Sequence, residues 1–311
     1  MSFAAVFPGQ GSQAIGMLGE LGSAHPEVQQ IFAEASSVLG YDLWTLCQQG
    51  PEERLNSTQQ TQPALLAAGV ATWRVWKAVG GADPSAMAGH SLGEYTALVC
   101  AGAMDFKATI KLVEFRGLAM QEAVPAGQGA MAAIIGLDDD SVRAACAEAA
   151  QGEVVEAVNF NAPGQVVIAG TKAAVERAGE VCKAKGAKRA LPLPVSAPSH
   201  CALMKPAAER LAQKLATLDI QPPRIPVLHN VDVSAHAKPD EIRAALKAQL
   251  YSPVRWVETV QKLARDGAVK QIEFGPGRVL AGLARRIDKS VEAYSVYDPT
   301  TLQAALAAAG A

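Results

Sequence analysis

The clearest candidate for chemistry in this sequence is a serine between two glycines. The segment Gly89-His90-Ser91-Leu92-Gly93 follows the short apolar run 86–88 and precedes a helical pattern that reaches about Cys100. This context matches the nucleophile elbow, where a side chain at either glycine would collide with the neighbouring strand or helix. Such a turn lifts the hydroxyl into a cleft and leaves N–H groups of the helix start free for an oxyanion. The pattern predicts Ser91 as an acyl-accepting nucleophile and the Leu92 N–H as an oxyanion donor.

The same five residues also have a purely structural interpretation. Serine is a preferred helix N-cap residue, and a glycine-flanked turn from strand to helix needs no catalytic role. On the five-residue pattern alone both interpretations stay open. His90 adjoins the serine in sequence, so an elbow points its ring away from the hydroxyl. We therefore assign His90 to packing or hydrogen bonding rather than to catalysis.

A nucleophilic serine needs a general base, and histidine is the usual one. His25 precedes a proline at a helix start, and His229 and His236 lie in a polar loop region, where an ordinary structural role suits them. His200 comes just before a helical pattern, and a helix N-terminus keeps an imidazole neutral and basic. The residues alone leave His200 open between a base and an ordinary loop histidine. Asp232 is possible by chain order as the acid that orients the base, but no motif surrounds it.

Arg116 projects from an apolar stripe of the predicted helix Asp105–Ala123. Its neighbours three and four residues away are all apolar: Leu112, Val113, Ala119 and Met120. A guanidinium buried there without a partner is costly, so the pattern predicts an anionic partner. One interpretation is an internal salt bridge to Glu94 or Glu122, or snorkelling to solvent. The other is a fork that binds the free carboxylate of a substrate bidentately.

A second glycine-rich turn, Pro8-Gly9-Gln10-Gly11-Ser12, follows the predicted strand Ser2–Phe7. Its glycines let the backbone approach a neighbouring group closely. The Gln10 N–H is therefore predicted as the second oxyanion donor. The turn lacks the Gly-Lys-Ser/Thr ending of a Walker loop, so phosphate binding there is not expected.

The elements that must hold these residues predict an α/β core. Strands are predicted before the two glycine-rich turns, at Val227–Leu228 and at Gln271–Phe274, with helical patterns between them. Strands that alternate with helices indicate a mostly parallel sheet covered on both faces. The predicted helices of this core are Pro26–Leu39, Pro63–Val79, Leu92–Cys100, Asp105–Ala123, Leu203–Leu218, Pro239–Leu250, Pro253–Asp266, one after Gly275-Pro276-Gly277, and the Ala-rich C-terminal segment.

Residues 125–197 have a different texture and predict a small inserted subdomain. The predicted order is β-α-β-β-α-β, which is the split βαβ or ferredoxin-like plan. The elements are Ala130–Leu137, Asp139–Ala150, Val154–Phe160, Gln165–Ala169, Lys172–Lys185 and Lys188–Leu193. The catalytic core is then discontinuous and comprises residues 1–124 and 198–311.

Composition narrows the class of protein. The 311 residues carry a net charge of −2, with no basic excess of the kind that marks a general nucleic-acid binder. No apolar stretch approaches the roughly 20 residues that span a bilayer, and Met1–Phe7 does not have the pattern of a signal peptide. Five scattered cysteines without metal-ligand spacing indicate reduced thiols, so no metal site is predicted. We expect a cytoplasmic enzyme without nucleic-acid or membrane partners.

Seven short motifs, spread along nearly the whole chain, together match the pattern of a known family. They are Phe7–Gln13 (FPGQGSQ), Gly89–Tyr95 (GHSLGEY), Phe115–Gly117 (FRG), Asn161–Gly170 (NAPGQVVIAG), Ser196–Cys201 (SAPSHC), Gln249–Pro253 (QLYSP) and Gly275–Leu280 (GPGRVL). In this order they resemble the family of malonyl-CoA:acyl carrier protein transacylases, and together they are far more specific than the elbow alone. The resemblance implies an α/β-hydrolase-like core with a ferredoxin-like insertion, in agreement with the predicted elements.

The resemblance also implies an activity and a set of roles. It implies transfer of a malonyl group from malonyl-CoA to the phosphopantetheine thiol of an acyl carrier protein, through a malonyl-serine, for fatty-acid chain elongation. No cofactor is implied. The family's base falls on His200 and its carboxylate-binding arginine on Arg116. In the family the base is oriented by a backbone carbonyl at the position of Gln249, so the resemblance implies a Ser-His dyad.

Three expectations complete the prediction. The alternative function is a serine thioesterase or esterase on the same elbow, which would use water as acceptor and have no use for Arg116.

Modular polyketide synthase relatives that select malonyl carry a bulky aromatic residue before the base. Ser199 stands there in this chain, so the position does not predict exclusion of methylmalonyl, although malonyl remains the predicted substrate. A monomer is expected.

The carrier protein is expected to be acidic and to dock on basic side chains. Two groups of residues are candidates, and solvated surface charge explains each of them equally well. The groups are Arg278, Arg285, Arg286 and Lys289, or Lys185, Lys188 and Arg189.

Overall fold

Nine β-strands form two separate sheets in the part of the chain that this computed structural model describes, residues 2–195 and 197–310. Met1, Ala311 and Ser196, the first residue of the Ser196–Cys201 motif, lie outside the described residues. The strands are β1 (Phe3–Phe7), β2 (Ala86–Gly89), β3 (Gly129–Ile135), β4 (Val155–Ala162), β5 (Gln165–Thr171), β6 (Arg189–Pro192), β7 (Val227–Leu228), β8 (Lys270–Phe274) and β9 (Glu292–Val296).

The larger sheet has the order β7-β2-β1-β8-β9, and every pair in it is parallel. Its central strand β1 is buried along its whole length, as expected of a parallel strand covered on both faces. Because successive side chains point to opposite faces, Phe3, Ala5 and Phe7 join one hydrophobic core. Ala4 and Val6 join the core on the other face. The predicted parallel sheet is confirmed.

Helices cover both faces of this sheet. The helices are α1 (Gly19–Ala24), α2 (Pro26–Leu39), α3 (Leu43–Gln49), α4 (Glu52–Leu55), α5 (Thr58–Ala78), α6 (Gly93–Cys100), α7 (Phe106–Ala123), α8 (Asp139–Ala150), α9 (Lys172–Ala184), α10 (Lys205–Leu215), α11 (Pro239–Gln249), α12 (Trp256–Arg265), α13 (Val279–Ile287) and α14 (Pro299–Ala309). Residues of α5, α6 and α7 belong to one core, and residues of α12 and α13 to the other. Within the described ranges no helix is both long and apolar enough to cross a membrane.

The smaller sheet is antiparallel, with the order β4-β5-β3-β6. Its strands and the helices α8 and α9 follow one another as β-α-β-β-α-β, in the predicted order. Its strands and helices build a hydrophobic core of their own. Backbone hydrogen bonds between strand β4 and Val254 join it to the rest of the chain. The division at residues 124/125 and 197/198 stays a prediction.

Several elements differ from the sequence prediction. The short helices α1, α3 and α4 were not predicted, and α10 is shorter than the predicted Leu203–Leu218. Helix α5 begins at Thr58, so Pro63 lies inside it rather than at its start. Proline usually marks a helix start because it lacks an N–H group. Here the burial of most of the helix stabilises it enough to outweigh the hydrogen bond lost at Pro63. Strand β9 was not predicted because its five residues are polar in part, and it pairs only as the edge strand beside β8. Helix α12 begins at Trp256, three residues after the predicted start.

Candidate active site

Ser91 occupies a strained turn between β2 and α6. Its φ is +51°, in the left-handed region that residues other than glycine rarely adopt. A Cβ on Gly89 would lie 1.8 Å from the carbonyl carbon of Gly93, and a Cβ on Gly93 would lie 2.0 Å from the Phe7 carbonyl oxygen. Both glycines therefore allow the end of strand β1, the turn and helix α6 to approach one another. The structure has the geometry of the predicted elbow.

Gly93→Ala is expected to destabilise the protein by about 2–3 kcal/mol or more, because the new methyl group overlaps the backbone of β1. The melting temperature should fall by roughly 5–10 °C, as measured by calorimetry. Gly282→Ala is the matched control. Gly282 is an exposed glycine of helix α13, and a Cβ there meets nothing within 4 Å. Its alanine should leave stability unchanged or raise it by up to about 1 kcal/mol; equal losses in the two variants would contradict the steric explanation.

His200 lies against the serine hydroxyl. Its Nε2 is 2.8 Å from Ser91 Oγ, and its Nδ1 is 2.7 Å from the backbone carbonyl oxygen of Gln249. Because the carbonyl can only accept, Nδ1 carries the proton and Nε2 is the acceptor for the serine hydroxyl. Burial, reinforced by the positive charge of Arg116, lowers the pKa of His200 to about 3. The imidazole is therefore neutral and able to accept a proton at neutral pH.

Arg116 is carried by helix α7 and is 1% exposed. Its Nη1 donates to Gln62 Oε1 at 2.8 Å, and its Nη2 donates to Gln249 Oε1 at 3.0 Å. The same Nη2 lies 3.4 Å from Ser91 Oγ, and the guanidinium lies over the Tyr95 ring. Two amide oxygens and a serine hydroxyl thus hold this cation, and all of them are neutral.

None of the described carboxylates forms an ion pair with Arg116. The snorkelling interpretation is wrong because the side chain is buried. Glu122, one of the two predicted internal partners, instead accepts from Arg210 at 2.6 Å. Glu94, the other, accepts hydrogen bonds from different groups. Within residues 2–195 and 197–310, Arg116 Nε has no hydrogen-bond partner, and no carboxylate pairs with the buried guanidinium.

The two predicted oxyanion donors border the same cavity as the serine. This cavity of about 90 Å³ is lined by Gln10, Leu92, Ser91, Arg116 and His200, among others. The Gln10 side chain donates to Thr58 Oγ1 at 3.4 Å, which leaves its backbone outside that bond. In residues 2–195 and 197–310, neither the Gln10 N–H nor the Leu92 N–H makes a hydrogen bond. Both amides are therefore available to a ligand, and their catalytic role stays a prediction.

The comparisons with known proteins agree with one another over almost the whole chain. The sequence model of the acyl transferase domain family matches residues 5–298. The chain is 60% identical to the malonyl CoA-acyl carrier protein transacylase of Escherichia coli K12 and 62% identical to that of Haemophilus influenzae. The alignments cover 98% of both chains in the first case and 97% of both in the second. The chain belongs to the malonyl-CoA:acyl carrier protein transacylase family.

Solved structures agree with this assignment. An acyl carrier protein S-malonyltransferase from Vibrio cholerae superposes with a TM-score of 0.96 at 63% identity, over 98% of this chain and all of that one. A malonyl-transacylase solved in complex with its type II PKS acyl-carrier protein superposes with a TM-score of 0.98 at 62% identity. That alignment covers 99% of this chain and 100% of the other. The predicted family and the mixed α/β fold are confirmed.

A buried polar network beneath the elbow was missed by the sequence prediction. Asn230 accepts from the Ser91 N–H at 2.8 Å through Oδ1 and donates to the Gly89 carbonyl at 2.7 Å through Nδ2. It thereby fixes the backbone on both sides of His90. Gln249, predicted only for its backbone carbonyl, also donates through Nε2 to the Ser91 carbonyl at 3.0 Å. These amides hold the strained elbow from below.

His229 differs from its predicted role as an ordinary loop histidine. It is fully buried, and its Nδ1 lies 2.7 Å from Glu94 Oε1. Burial opposes protonation of this ring, but the Glu94 carboxylate outweighs it and raises the pKa of His229. Asp232, considered as an acid for the base, instead pairs with His236 at 2.7 Å. No signal in the local sequence distinguishes the buried His229 from the partly exposed His236.

His90 turns away from the hydroxyl, as predicted for the residue next to the nucleophile. Its Nε2 lies 2.8 Å from Asn161 Oδ1 in strand β4. This contact joins the elbow to the smaller sheet, which borders the active-site cavity through Met131 and Asn159. His90 therefore acts in packing between the two sheets.

Cys201, next to the base, is not a rival nucleophile. Its thiol is buried, donates to the Pro198 carbonyl, and has a pKa that burial raises to about 12. The thiol therefore stays protonated and unreactive at neutral pH. In the described part of the chain no three His, Cys, Asp or Glu side chains are grouped so that they could hold a metal ion.

Proposed function

We propose that this chain transfers a malonyl group from malonyl-CoA to the phosphopantetheine thiol of an acyl carrier protein, and so supplies malonyl carrier for fatty-acid chain elongation. The observation that carries the proposal is the buried Arg116 guanidinium, whose hydrogen-bond partners among the described residues are all neutral and which lies 3.4 Å from Ser91 Oγ. A free carboxylate on the acyl group would supply the missing anion. Membership of the family supports the same substrate.

In the first half-reaction the serine becomes acylated. Ser91 Oγ attacks the thioester carbonyl while His200 Nε2 takes its proton, across the 2.8 Å hydrogen bond. The N–H groups of Gln10 and Leu92 stabilise the oxyanion of the tetrahedral intermediate. The intermediate collapses, the C–S bond breaks, and His200 returns the proton to the departing CoA sulfur. Arg116 holds the resulting malonyl-serine ester by its carboxylate.

The second half-reaction reverses these roles. The carrier's thiol gives its proton to His200 Nε2 as its sulfur attacks the ester carbonyl. Collapse of the second intermediate breaks the bond to Ser91 Oγ, which recovers the proton from His200. Throughout, the Gln249 carbonyl keeps the proton on Nδ1, so a Ser-His dyad suffices and no acidic residue is needed. No cofactor takes part in either step.

The lowered pKa of His200 predicts the pH dependence of acylation. The base has to be neutral, and a folded-state pKa of about 3 keeps it neutral well below its ordinary value of 6.5. The kcat/KM for malonyl-CoA should therefore stay constant between roughly pH 5 and 8, instead of halving near 6.5. The unfolded chain does gain this proton near 6.5, so the same group lowers folding stability as the pH falls below that value. Initial rates and melting temperatures across this range check both statements, and an acid limb near 6.5 would contradict the first.

The carrier is proposed to dock on basic side chains that the fold leaves free. Lys185 pairs with Glu148, Arg286 donates to Gln165, and Arg285 donates to the Ala293 carbonyl. The other candidates are exposed, and the described residues give them no side-chain partner: Lys188, Arg189, Arg278 and Lys289. The two alternative docking groups are thereby reduced to Arg278 and Lys289, or Lys188 and Arg189. We also propose that the enzyme acts as a cytoplasmic monomer.

Intact-mass measurement tests the proposal. Incubation with malonyl-CoA should add one malonyl group to the protein, and addition of carrier protein bearing phosphopantetheine should move it to the carrier. A serine esterase or thioesterase would release malonate to water and leave the carrier unmodified. Absence of any acyl-protein would refute a covalent mechanism altogether.

A further inference from the structure

The geometry points to Glu94 as a positioning residue for the carboxylate-binding arginine, acting through the side-chain amide of Gln249. This inference rests on the proposed role of Arg116 in malonyl transfer. The mechanism proposed above does not say which groups orient the Arg116 guanidinium toward the substrate carboxylate.

Glu94 is the second residue of helix α6 and is completely buried. Its Oε1 accepts from His229 Nδ1 at 2.7 Å. Its Oε2 accepts from the Asn230 N–H at 2.9 Å and from Gln249 Nε2 at 2.9 Å. An ionised carboxylate can only accept hydrogen bonds, so each of the three groups that face it has to be a donor.

This requirement fixes the direction of the Gln249 amide. The amide lies between the Glu94 carboxylate, which only accepts, and the Arg116 guanidinium, which only donates. Only one of the two amide orientations satisfies both neighbours, with Nε2 toward Glu94 and Oε1 toward Arg116 Nη2. In the flipped amide, oxygen would face oxygen and N–H would face N–H. Glu94, together with the Ser91 carbonyl that also accepts from Nε2, therefore determines that an acceptor lies at 3.0 Å from the guanidinium.

The interposed amide also explains why Arg116 stays free for a substrate. A direct salt bridge to Glu94 would occupy N–H groups at the edge of the guanidinium, where carboxylates bind bidentately. With the amide between them, Glu94 orients the guanidinium while a neutral oxygen holds it. The same Glu94 oxygen binds Asn230, whose side chain grips both sides of the elbow. The Glu94 carboxylate is therefore connected by hydrogen bonds both to the turn that carries Ser91 and, through Gln249, to Arg116.

Two conservative substitutions separate positioning from charge. Glu94→Asp keeps the charge but shortens the side chain by one methylene, so the carboxylate no longer reaches Gln249. Glu94→Gln loses the charge but keeps the length. Its carbonyl oxygen can still accept from Asn230 and Gln249, and its NH₂ can face His229 Nδ1 in the other ring tautomer. The measurement is the ratio of kcat/KM for malonyl-CoA to kcat/KM for acetyl-CoA, in the full chain with carrier protein as acceptor.

If Glu94 is a positioning residue, Glu94→Asp should lower the malonyl-to-acetyl ratio by about tenfold or more, since misplacement of a binding group by about 1 Å is that costly. Glu94→Gln should keep the ratio within about threefold of the parent. A merely structural role would lower both activities together and leave the ratio unchanged in both variants, which would overturn the inference. The reverse order, with Gln losing the ratio and Asp keeping it, would overturn it in favour of a charge effect.

A surface carboxylate supplies the control. Glu122, which pairs with Arg210 at the surface, can be shortened in the same way, and Glu122→Asp should leave the ratio at the parental value. Should Glu94→Asp fail to fold, Gln249→Met takes its place, because it removes the side-chain amide through which Glu94 acts. It should lower the ratio by about tenfold, and an unchanged ratio would refute the inference. If the parent enzyme itself shows no preference for malonyl, the proposed function fails rather than the role of Glu94.

Discussion

Arg116→Ala is expected to lower kcat/KM for malonyl transfer by roughly 10²–10³-fold, while transfer of an acetyl group is retained or rises. Loss of one partner of a buried, hydrogen-bonded charge pair costs about 3–4 kcal/mol, and this pair forms only when the acyl group carries a carboxylate. An acetyl group has no carboxylate, so it gains nothing from the guanidinium. The measurement is a comparison of the two donors at subsaturating concentration, with carrier protein as acceptor.

The resting enzyme provides a second reason to expect this selectivity. Arg116 is buried beside a neutral imidazole, and burial lowers the pKa of the guanidinium from its ordinary value. A buried cation without an anion is unfavourable, so the free enzyme carries a cost that a malonyl carboxylate removes on binding. Arg116→Ala removes that cost as well, and its melting temperature should therefore not fall in proportion to the lost activity.

Two further variants make the prediction about Arg116 specific. Arg116→Lys keeps a positive charge but loses the planar fork, so its malonyl activity should lie between those of the parent and the alanine variant. Arg210→Ala removes a surface arginine that pairs with Glu122, and it should leave both donors unaffected. If the Arg116→Ala enzyme prefers malonyl over acetyl as strongly as the parent does, Arg116 does not bind the substrate carboxylate.

How far the sequence predicts the structure can be judged from particular residues. The elbow was predictable because its pattern is local: the two glycines that allow the close approach lie within two residues of Ser91. Arg116 was predictable as a buried cation because its apolar neighbours lie on one helix face. The eight strands that precede β9 were also predictable, since their apolar runs and glycine-rich turns are local signals. Each of these predictions needed only a short stretch of chain.

The polar network beneath the elbow shows what such local signals cannot supply. Glu94 binds Asn230 and Gln249 across 136 and 155 residues of sequence, and none of the three stands in a local pattern that names its partner. A buried glutamate at a helix start looks in sequence like an ordinary first-turn acid. His229 was misassigned for the same reason, since only the fold shows that it is buried against that glutamate. Long-range pairing of polar groups is therefore the part of the site that only the folded structure reveals.

Ser91→Ala should abolish formation of the acyl-protein and lower kcat for malonyl transfer by roughly four to six orders of magnitude. The substitution removes the only atom that the mechanism acylates, while Cys201, the nearest thiol in sequence to the base, stays protonated. His200→Ala should lower kcat by about 10²–10⁴-fold, since the hydroxyl then loses its general base but not the oxyanion donors. Intact-mass spectra after incubation with malonyl-CoA, together with transfer rates to carrier protein, measure both effects.

The control for these two substitutions is a serine at the opposite end of the same strand. Ser85 precedes β2 and donates to the Phe3 carbonyl, far in the fold from the elbow that follows the strand, and Ser85→Ala should acylate at the parental rate. Ser91→Ala also leaves the elbow contacts to Asn230 intact, because these use the Ser91 backbone N–H rather than its hydroxyl. The variant should therefore fold normally, and its inactivity would report on chemistry alone. If the folded Ser91→Ala protein still forms a malonyl adduct, the acyl acceptor is another residue and the mechanism proposed for this site is wrong.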